Sequence, residues 1–127
     1  MSKGRILIVE DELIIGEDLR MCLEERGYEV IGLITSPERA ILKCREKLPD
    51  LILMDVHLSG ENDGIEAARH IKAEFGVPVV YLTGCPGRCS PMGRYSEETD
   101  PYVKKPFSEK ELCAVIETAL KNQGRNS

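Results

Sequence analysis

No apolar stretch in this 127-residue chain approaches the ~20 residues that a membrane-spanning helix requires. The N-terminus also lacks the hydrophobic region of a secretory signal. No membrane contact is therefore expected, and the expected location is the cytoplasm. Basic charge is in short supply: 17 Lys and Arg stand against 22 Asp and Glu, a net −5. That balance opposes direct nucleic-acid contact, because neutralising phosphates needs a basic face. Only two histidines occur, and neither is near the close cysteine pair Cys85 and Cys89, so a zinc site lacks further ligands. All five cysteines are expected as free thiols, with Cys22, Cys44 and Cys113 in helix-like segments as small buried hydrophobes. Repeats and linkers are absent. What remains is one domain over residues 1–127, its core from about 3 to 122 and a polar tail over 123–127, with the ordinary apolar content (42%) of a globular protein.

Within that domain, short apolar runs alternate with helical patterns. Arg5-Ile6-Leu7-Ile8-Val9 reads as a strand and ends in three acids, Glu10, Asp11 and Glu12. A stripe of Ile15, Leu19, Cys22 and Leu23 predicts a helix, stopped by Gly27. Residues 28–34 predict a second strand. Ser36-Pro37-Glu38 then opens a helix with a capping hydroxyl, a proline in the first turn and an acid at the positive end. Its stripe is Ala40, Ile41, Cys44 and Leu48, closed by Pro49. Leu51-Ile52-Leu53-Met54 is a run suited to a strand covered on both faces, and Asp55 ends it abruptly. Ala68, Ile71 and Phe75 mark a third helix, stopped by Gly76, in which His70 is expected to be exposed. Residues 77–82 form the fourth strand, ended by Thr83. A helix is due over 84–100, but Pro86, Gly87, Pro91 and Gly93 oppose it, so it is expected short and late. Pro101-Tyr102-Val103 is the last strand. Ser108 and Glu111 form a capping box for a final helix bearing Leu112, Val115, Ile116, Ala119 and Leu120.

Strands alternating with helices mean βαβ units, a parallel sheet and an α/β three-layer (αβα) sandwich. In such a sheet the strand ends share one edge, where ligands collect. Glu10 and Asp11 follow the first strand, Asp55 ends the third, Thr83 follows the fourth and Lys105 the fifth. Three crowded carboxylates repel, and a divalent cation relieves the repulsion. An all-oxygen ligand set favours Mg2+ over zinc. A hard cation, a nucleophilic aspartate, a lysine and a threonine hydroxyl make a set suited to phosphoryl transfer, where protein groups position the phosphoryl and neutralise its charge. Each residue alone has an ordinary reading: acids favour a helix start, threonine makes turns, and lysine is solvated.

The set Ile6-Leu7-Ile8-Val9-Glu10-Asp11-Glu12, Asp55 with Gly60 and Gly64, Leu82-Thr83-Gly84, and Tyr102-Val103-Lys104-Lys105-Pro106-Phe107 resembles the receiver domain of two-component response regulators. The resemblance runs over nearly the whole chain. It implies a flavodoxin-like sheet of order 2-1-3-4-5. It implies Asp55 as phosphoacceptor, served by a sensor histidine kinase or histidine phosphotransfer protein. Asp11, Asp55 and the His57 backbone carbonyl are implied as Mg2+ ligands, with Glu10 acting through water. Thr83 is the implied switch hydroxyl, Tyr102 the aromatic that moves with it, and Lys105 the phosphate-binding lysine, commonly followed by a cis peptide at Pro106. The output domain or target protein is not implied. The domain is then a two-state switch and not an enzyme beyond its own phosphorylation and dephosphorylation.

The chain departs from the family pattern in four places. Glu10 stands where many members have aspartate. Ser59 replaces a usual proline in a loop one residue longer than the common form, a variant similar to receivers attached to sensor kinases. Gly84 replaces a frequent alanine, and the helix over 84–100 is interrupted. His57 has two readings, a side chain that screens the acyl phosphate or a surface residue that offers only its carbonyl, and the second is preferred. A receiver-fold binding module that is never phosphorylated is a competing reading. A small Mg2+-dependent aspartyl phosphatase is another, though His57 stands where a second acid would be wanted. A flavin module is disfavoured, because acids occupy the position of a phosphate cradle.

Overall fold

Runs that are apolar at every position need cover on both faces, and the chain meets that need with a parallel sheet between two helical layers. The structure is a computed structural model that describes residues 3–55, 63–83, 102–104 and 107–125. Its elements are β1 (Arg5–Val9), α1 (Leu13–Glu25), β2 (Glu29–Ile34), α2 (Pro37–Glu46), β3 (Leu51–Asp55), α3 (Asp63–Phe75), β4 (Val79–Thr83), β5 (Tyr102–Lys104) and α4 (Glu109–Arg125). All pairings are parallel, in the order β2-β1-β3-β4-β5. The expected helix over 84–100 lies outside the described residues.

Strand alternation divides the core. Ile6, Ile8, Leu51, Leu53, Val80 and Leu82 face one way, against Leu19 and Leu23 of α1 and Leu112 and Ile116 of α4. Leu7, Val9, Ile52, Met54 and Tyr81 face the other, against Ala40 and Cys44 of α2 and Ala68 and Ile71 of α3. Complete burial of each such side chain stabilises by roughly 1.5–3 kcal/mol. Gly27 and Gly76 terminate α1 and α3 at φ of +96° and +70°, the left-handed geometry that glycine adopts without a Cβ penalty. Ser36 Oγ accepts from the Arg39 N–H at 3.4 Å, and Ser108 Oγ from the Glu111 N–H at 3.1 Å. The reciprocal half of the second capping box, from Glu111 back to Ser108, is not made among the described residues.

Several boundaries differ from expectation. Helix α2 ends at Glu46, so Leu48 is no part of its stripe and is 52% exposed. The cause is local: Pro49 drives its predecessor out of helical geometry, and Lys47 is already extended (φ −148°, ψ 107°). The fourth strand starts at Val79 instead of Val77, although the Pro78 carbonyl already accepts from Ile52 N–H at 3.0 Å. Proline keeps the acceptor and lacks only the donor. Strand β5 is displaced by one residue, and α4 runs on to Arg125, through the first part of the polar stretch.

An irregularity in β2 decides how α1 seats. Ile6 pairs with Val30 but Leu7 with Gly32, leaving Ile31 as an extra residue. Both Ile31 and Gly32 then turn to the α2 side, where a Cβ on Gly32 would meet Leu7 Cδ1 at 3.1 Å. The phase of alternation reverses, and Leu33 returns to the α1 face. There it fills the space left by Gly16: a Cβ on that glycine would lie 2.5 Å from Leu33 Cδ1 and 3.3 Å from Cγ. Gly16→Ala should therefore destabilise the domain by about 1–2 kcal/mol, the overpacking exceeding the ~1 kcal/mol gained in helix propensity. In a Leu33→Ala background the sign should reverse, because the clash is gone. Urea unfolding of the four members of this cycle checks both expectations.

Candidate functional site

Strand register builds the site. Val9 is opposite Met54, so the next step along each strand sets Glu10 level with Asp55. The period of two sends both to the face of Ile8 and Leu53, toward α1. Asp11 follows in the turn that leads to α1. One carboxylate oxygen from each of Glu10, Asp11 and Asp55 lies within 4.8 Å of the other two. Glu10 and Asp55 are buried, at 0% and 2% exposure, whereas Asp11 is open to solvent. They are the only charged side chains in the buried set among the described residues. Glu10 Oε2 accepts from the Glu12 N–H at 3.3 Å.

Buried acids are retained where a cation or hydrogen bonds compensate them. Two nearly buried carboxylates and one exposed carboxylate offer hard oxygen donors with no thiolate or imidazole among them, and that chemistry fits Mg2+. The solvent-facing position of Asp11 leaves an approach from bulk water.

The remaining sequence candidates divide by location. Thr83 ends β4 one residue past Leu82, the partner of Asp55, and pairs with Lys104, so its backbone stands at the same sheet edge. Tyr102 pairs with Tyr81 and is half-buried against the α2–α3 side of the core. His57, Ser59, Gly60, Gly84, Lys105, Pro106, Cys85 and Cys89 lie outside the described residues. His70 is exposed, as expected, and its Nε2 is 2.7 Å from Glu74 Oε1.

Cys22 departs from the expectation of a buried hydrophobe. It is partly exposed, and its thiol donates to Glu109 Oε1 at 3.4 Å across the α1–α4 seam. Partial burial, with this hydrogen bond and the nearby negative charge, pushes the thiol up to about 12. Burial and then Glu74 push Cys44 up to about 11. Both thiols therefore stay protonated at neutral pH and are poor nucleophiles.

Cys22 lies in a groove of about 690 Å³, lined also by Ile15, Asp18, Met21, Glu25, Phe107 and Glu109. The sequence pattern did not reveal this groove. Its one trace in the sequence is Met21, an apolar residue of α1 off the core stripe.

Comparison with known proteins agrees with this arrangement. The family model for the response regulator receiver domain matches residues 6–117. The DNA-binding response regulator MtrA of Mycolicibacterium paratuberculosis is 35% identical over 94% of this chain and 52% of its own length. The transcriptional regulatory protein PdtaR of Mycobacterium tuberculosis is 36% identical over 91% of the chain and 56% of its own length. The chain thus spans about half the length of these relatives. Among solved structures, the response regulator PhyR from Brucella abortus superposes with a TM-score of 0.84 at 28% identity, covering 99% of this chain and 51% of PhyR. The signal receiver domain of a modulated diguanylate cyclase from Desulfovibrio desulfuricans G20 gives 0.82 at 29% identity, with 98% of both chains covered. With its acidic cluster at the carboxyl edge of a 2-1-3-4-5 sheet, the chain belongs to the response regulator receiver domains of two-component systems.

Proposed function

We propose that this domain is a phosphorylation-controlled switch in which Asp55 takes a phosphoryl group from the phosphohistidine of a sensor histidine kinase or histidine phosphotransfer protein. The observation that carries the proposal is the meeting of Glu10, Asp11 and Asp55 within 4.8 Å in a chain of this family. An Asp55 carboxylate oxygen forms the new bond to phosphorus as the phosphorus–nitrogen bond to imidazole breaks. The electron pair leaves with the imidazole, which takes up a proton. Asp11, Asp55 and the backbone carbonyl of His57 would hold Mg2+ directly, with Glu10 through water. When bound, the cation supplies positive charge against the phosphoryl oxygens. Lys105 adds a second positive group.

Asp55, set nearly out of water at the end of the central strand, offers its oxygen to a donor that approaches past exposed Asp11. Thr83 then turns its hydroxyl toward the phosphoryl group, and half-buried Tyr102 moves inward with it, altering the surface that an output domain or target protein reads. The domain is a signalling module, with no turnover beyond gaining and losing its own phosphoryl group. Among the described residues no helix is long and apolar enough to cross a membrane, in keeping with a cytoplasmic location. The net charge of −5 supports a domain that makes no direct nucleic-acid contact.

Intact-mass measurement after exposure to acetyl phosphate or phosphoramidate with Mg2+ tests this. The expected result is a gain of one phosphoryl group, lost with chelator and in a folded Asp55→Asn variant. No gain from small donors or from phosphohistidine would sink the proposal in favour of a binding module. Turnover of an added phosphoester, abolished by the same substitution, would make the protein a phosphatase instead.

A further inference from the structure

Aromatic rings are scarce in this chain (four Tyr, two Phe and no Trp), yet two of the tyrosines are direct neighbours in the sheet. Tyr81 of β4 pairs in register with Tyr102 of β5. Such partners stand about 4.8 Å apart and point to the same face. Both side chains belong to the α2–α3 side of the core. Their situations differ. Tyr81 is 1% exposed, on a strand held between β3 and β5, with Met54 as its other partner. Tyr102 is half-buried on the edge strand. The α3 members of the same cluster include Ala67 and Ala68, small side chains that leave room for a large ring beneath the helix. From the last turn of α3, Lys72 sets its Nζ over the Tyr81 ring, 5.3 Å from the centroid. That is inside the ~6 Å over which a cation is drawn to an aromatic face. A line Tyr102–Tyr81–Lys72 thus leads from the edge strand to α3.

We infer that Tyr81 is a positioning residue of the switch, the ring that Tyr102 presses on when it turns inward, and that Lys72 carries the resulting tilt to the last turn of α3. The inference rests on the phosphorylation reading above, which supplies the motion of Tyr102. Protein interiors are close-packed, so a half-buried ring goes further in only by displacing what it meets. Tyr81, in register beside it, is the large group in that path. Its strand is paired on both sides, so the backbone stays in place and the ring gives way about its side-chain bonds. The attraction of Lys72 depends on its standing over the face of the ring, and a tilt changes it. A leucine at this position would yield to Tyr102 as well, but it has no face to hold a cation, and the displacement would end there. Helix α3 leaves the sheet edge that holds Asp55 and runs away from it, so its last turn is at the far end from the phosphoryl group.

NMR of the isotope-labelled chain in Mg2+, before and after addition of acetyl phosphate, tests this, with intact mass taken on the same samples. In the phosphorylated wild type the ring signals of Tyr102 should shift, and with them the amides of Ile71, Ala73 and Glu74 around Lys72. Tyr81→Phe keeps the aromatic face and should respond as the wild type does. Tyr81→Leu should gain the same mass and still move Tyr102, while the α3 amides lose most of their shift. Lys72→Met leaves the core filled and should show the same loss, so the inference stays open to refutation even if Tyr81→Leu does not fold. A full α3 response in a folded Tyr81→Leu or in Lys72→Met would overturn the inference. So would α3 amides that stay still in a phosphorylated wild type whose Tyr102 has moved. A wild type that gains no mass, or gains it while Tyr102 keeps its place, would overturn the switch reading itself, and this inference with it.

Discussion

In metal-free buffer, Asp55→Asn should unfold at a higher temperature than the wild type, and millimolar Mg2+ should close most of the gap. Three carboxylates within 4.8 Å repel, whatever else each of them touches. At that separation a pair of unit charges costs about 1 kcal/mol in a water-like medium and ~3.5 kcal/mol at an effective dielectric of 20. Asp11 is exposed and its share is screened, so the contact between buried Glu10 and Asp55 dominates. Asparagine keeps the shape of the side chain and replaces a repelling oxygen with an N–H donor. A net gain of about 1–2 kcal/mol follows, or roughly 4–8 °C for a domain of this size. Mg2+ stabilises the wild type by RT ln(1 + [L]/Kd) and should do little for the variant, whose site has lost a charge. Calorimetry of both proteins in chelator and in Mg2+ checks this. A variant less stable than wild type in chelator would show that the carboxylates are not in conflict.

The second large effect lies in the strand that carries this aspartate. Leu53→Ala should cost about 3–4 kcal/mol, the usual loss for a fully buried leucine whose cavity closes only in part. Leu53 is 0% exposed, lies in β3 between β1 and β4, and packs in the same cluster as Leu19 and Leu23 of α1. Against a typical domain stability of about 5–15 kcal/mol, this removes a large share. Urea unfolding should show a lower midpoint with an unchanged slope. Leu48→Ala is the control: at 52% exposure its effect should stay within about 0.5 kcal/mol. If both leucines proved equally costly, Leu53 would not be the core residue, and Leu48 not the surface residue, that their burial makes them.

The sandwich was legible in the sequence because each parallel strand, covered on both faces, appears as an unbroken apolar run. Leu51 to Met54 is one such run, and all four residues are 0% exposed. Glycine and proline marked the helix ends well at Gly27 and Gly76. They misled at Leu48, where an apolar residue in phase with α2 falls past the end imposed by Pro49. The acidic cluster was legible for a topological reason: residues that end neighbouring parallel strands must share an edge, so Glu10, Asp11 and Asp55 could be brought together without any pattern between them. The β2 irregularity was not legible, since nothing local tells a packed Gly32 from one that marks an extra residue. The α1–α4 groove was not legible either, beyond the off-stripe Met21, because it is made by two helices far apart in sequence that the fold sets side by side on one face of the sheet.

The hydrogen bond from the Glu12 amide to Glu10 gives that carboxylate a second task. No side chain of the residue that precedes α1 caps the helix, so Glu10, buried in the acidic cluster, is also the anion that satisfies an amide at its start. A longer glutamate can reach where an aspartate would fall short. A cation held by the cluster and the start of α1 would thus draw on the same carboxylate. Whatever repositions Glu10 tugs directly on the helix that walls the groove, so this acid is a mechanical joint as well as a member of the acidic cluster.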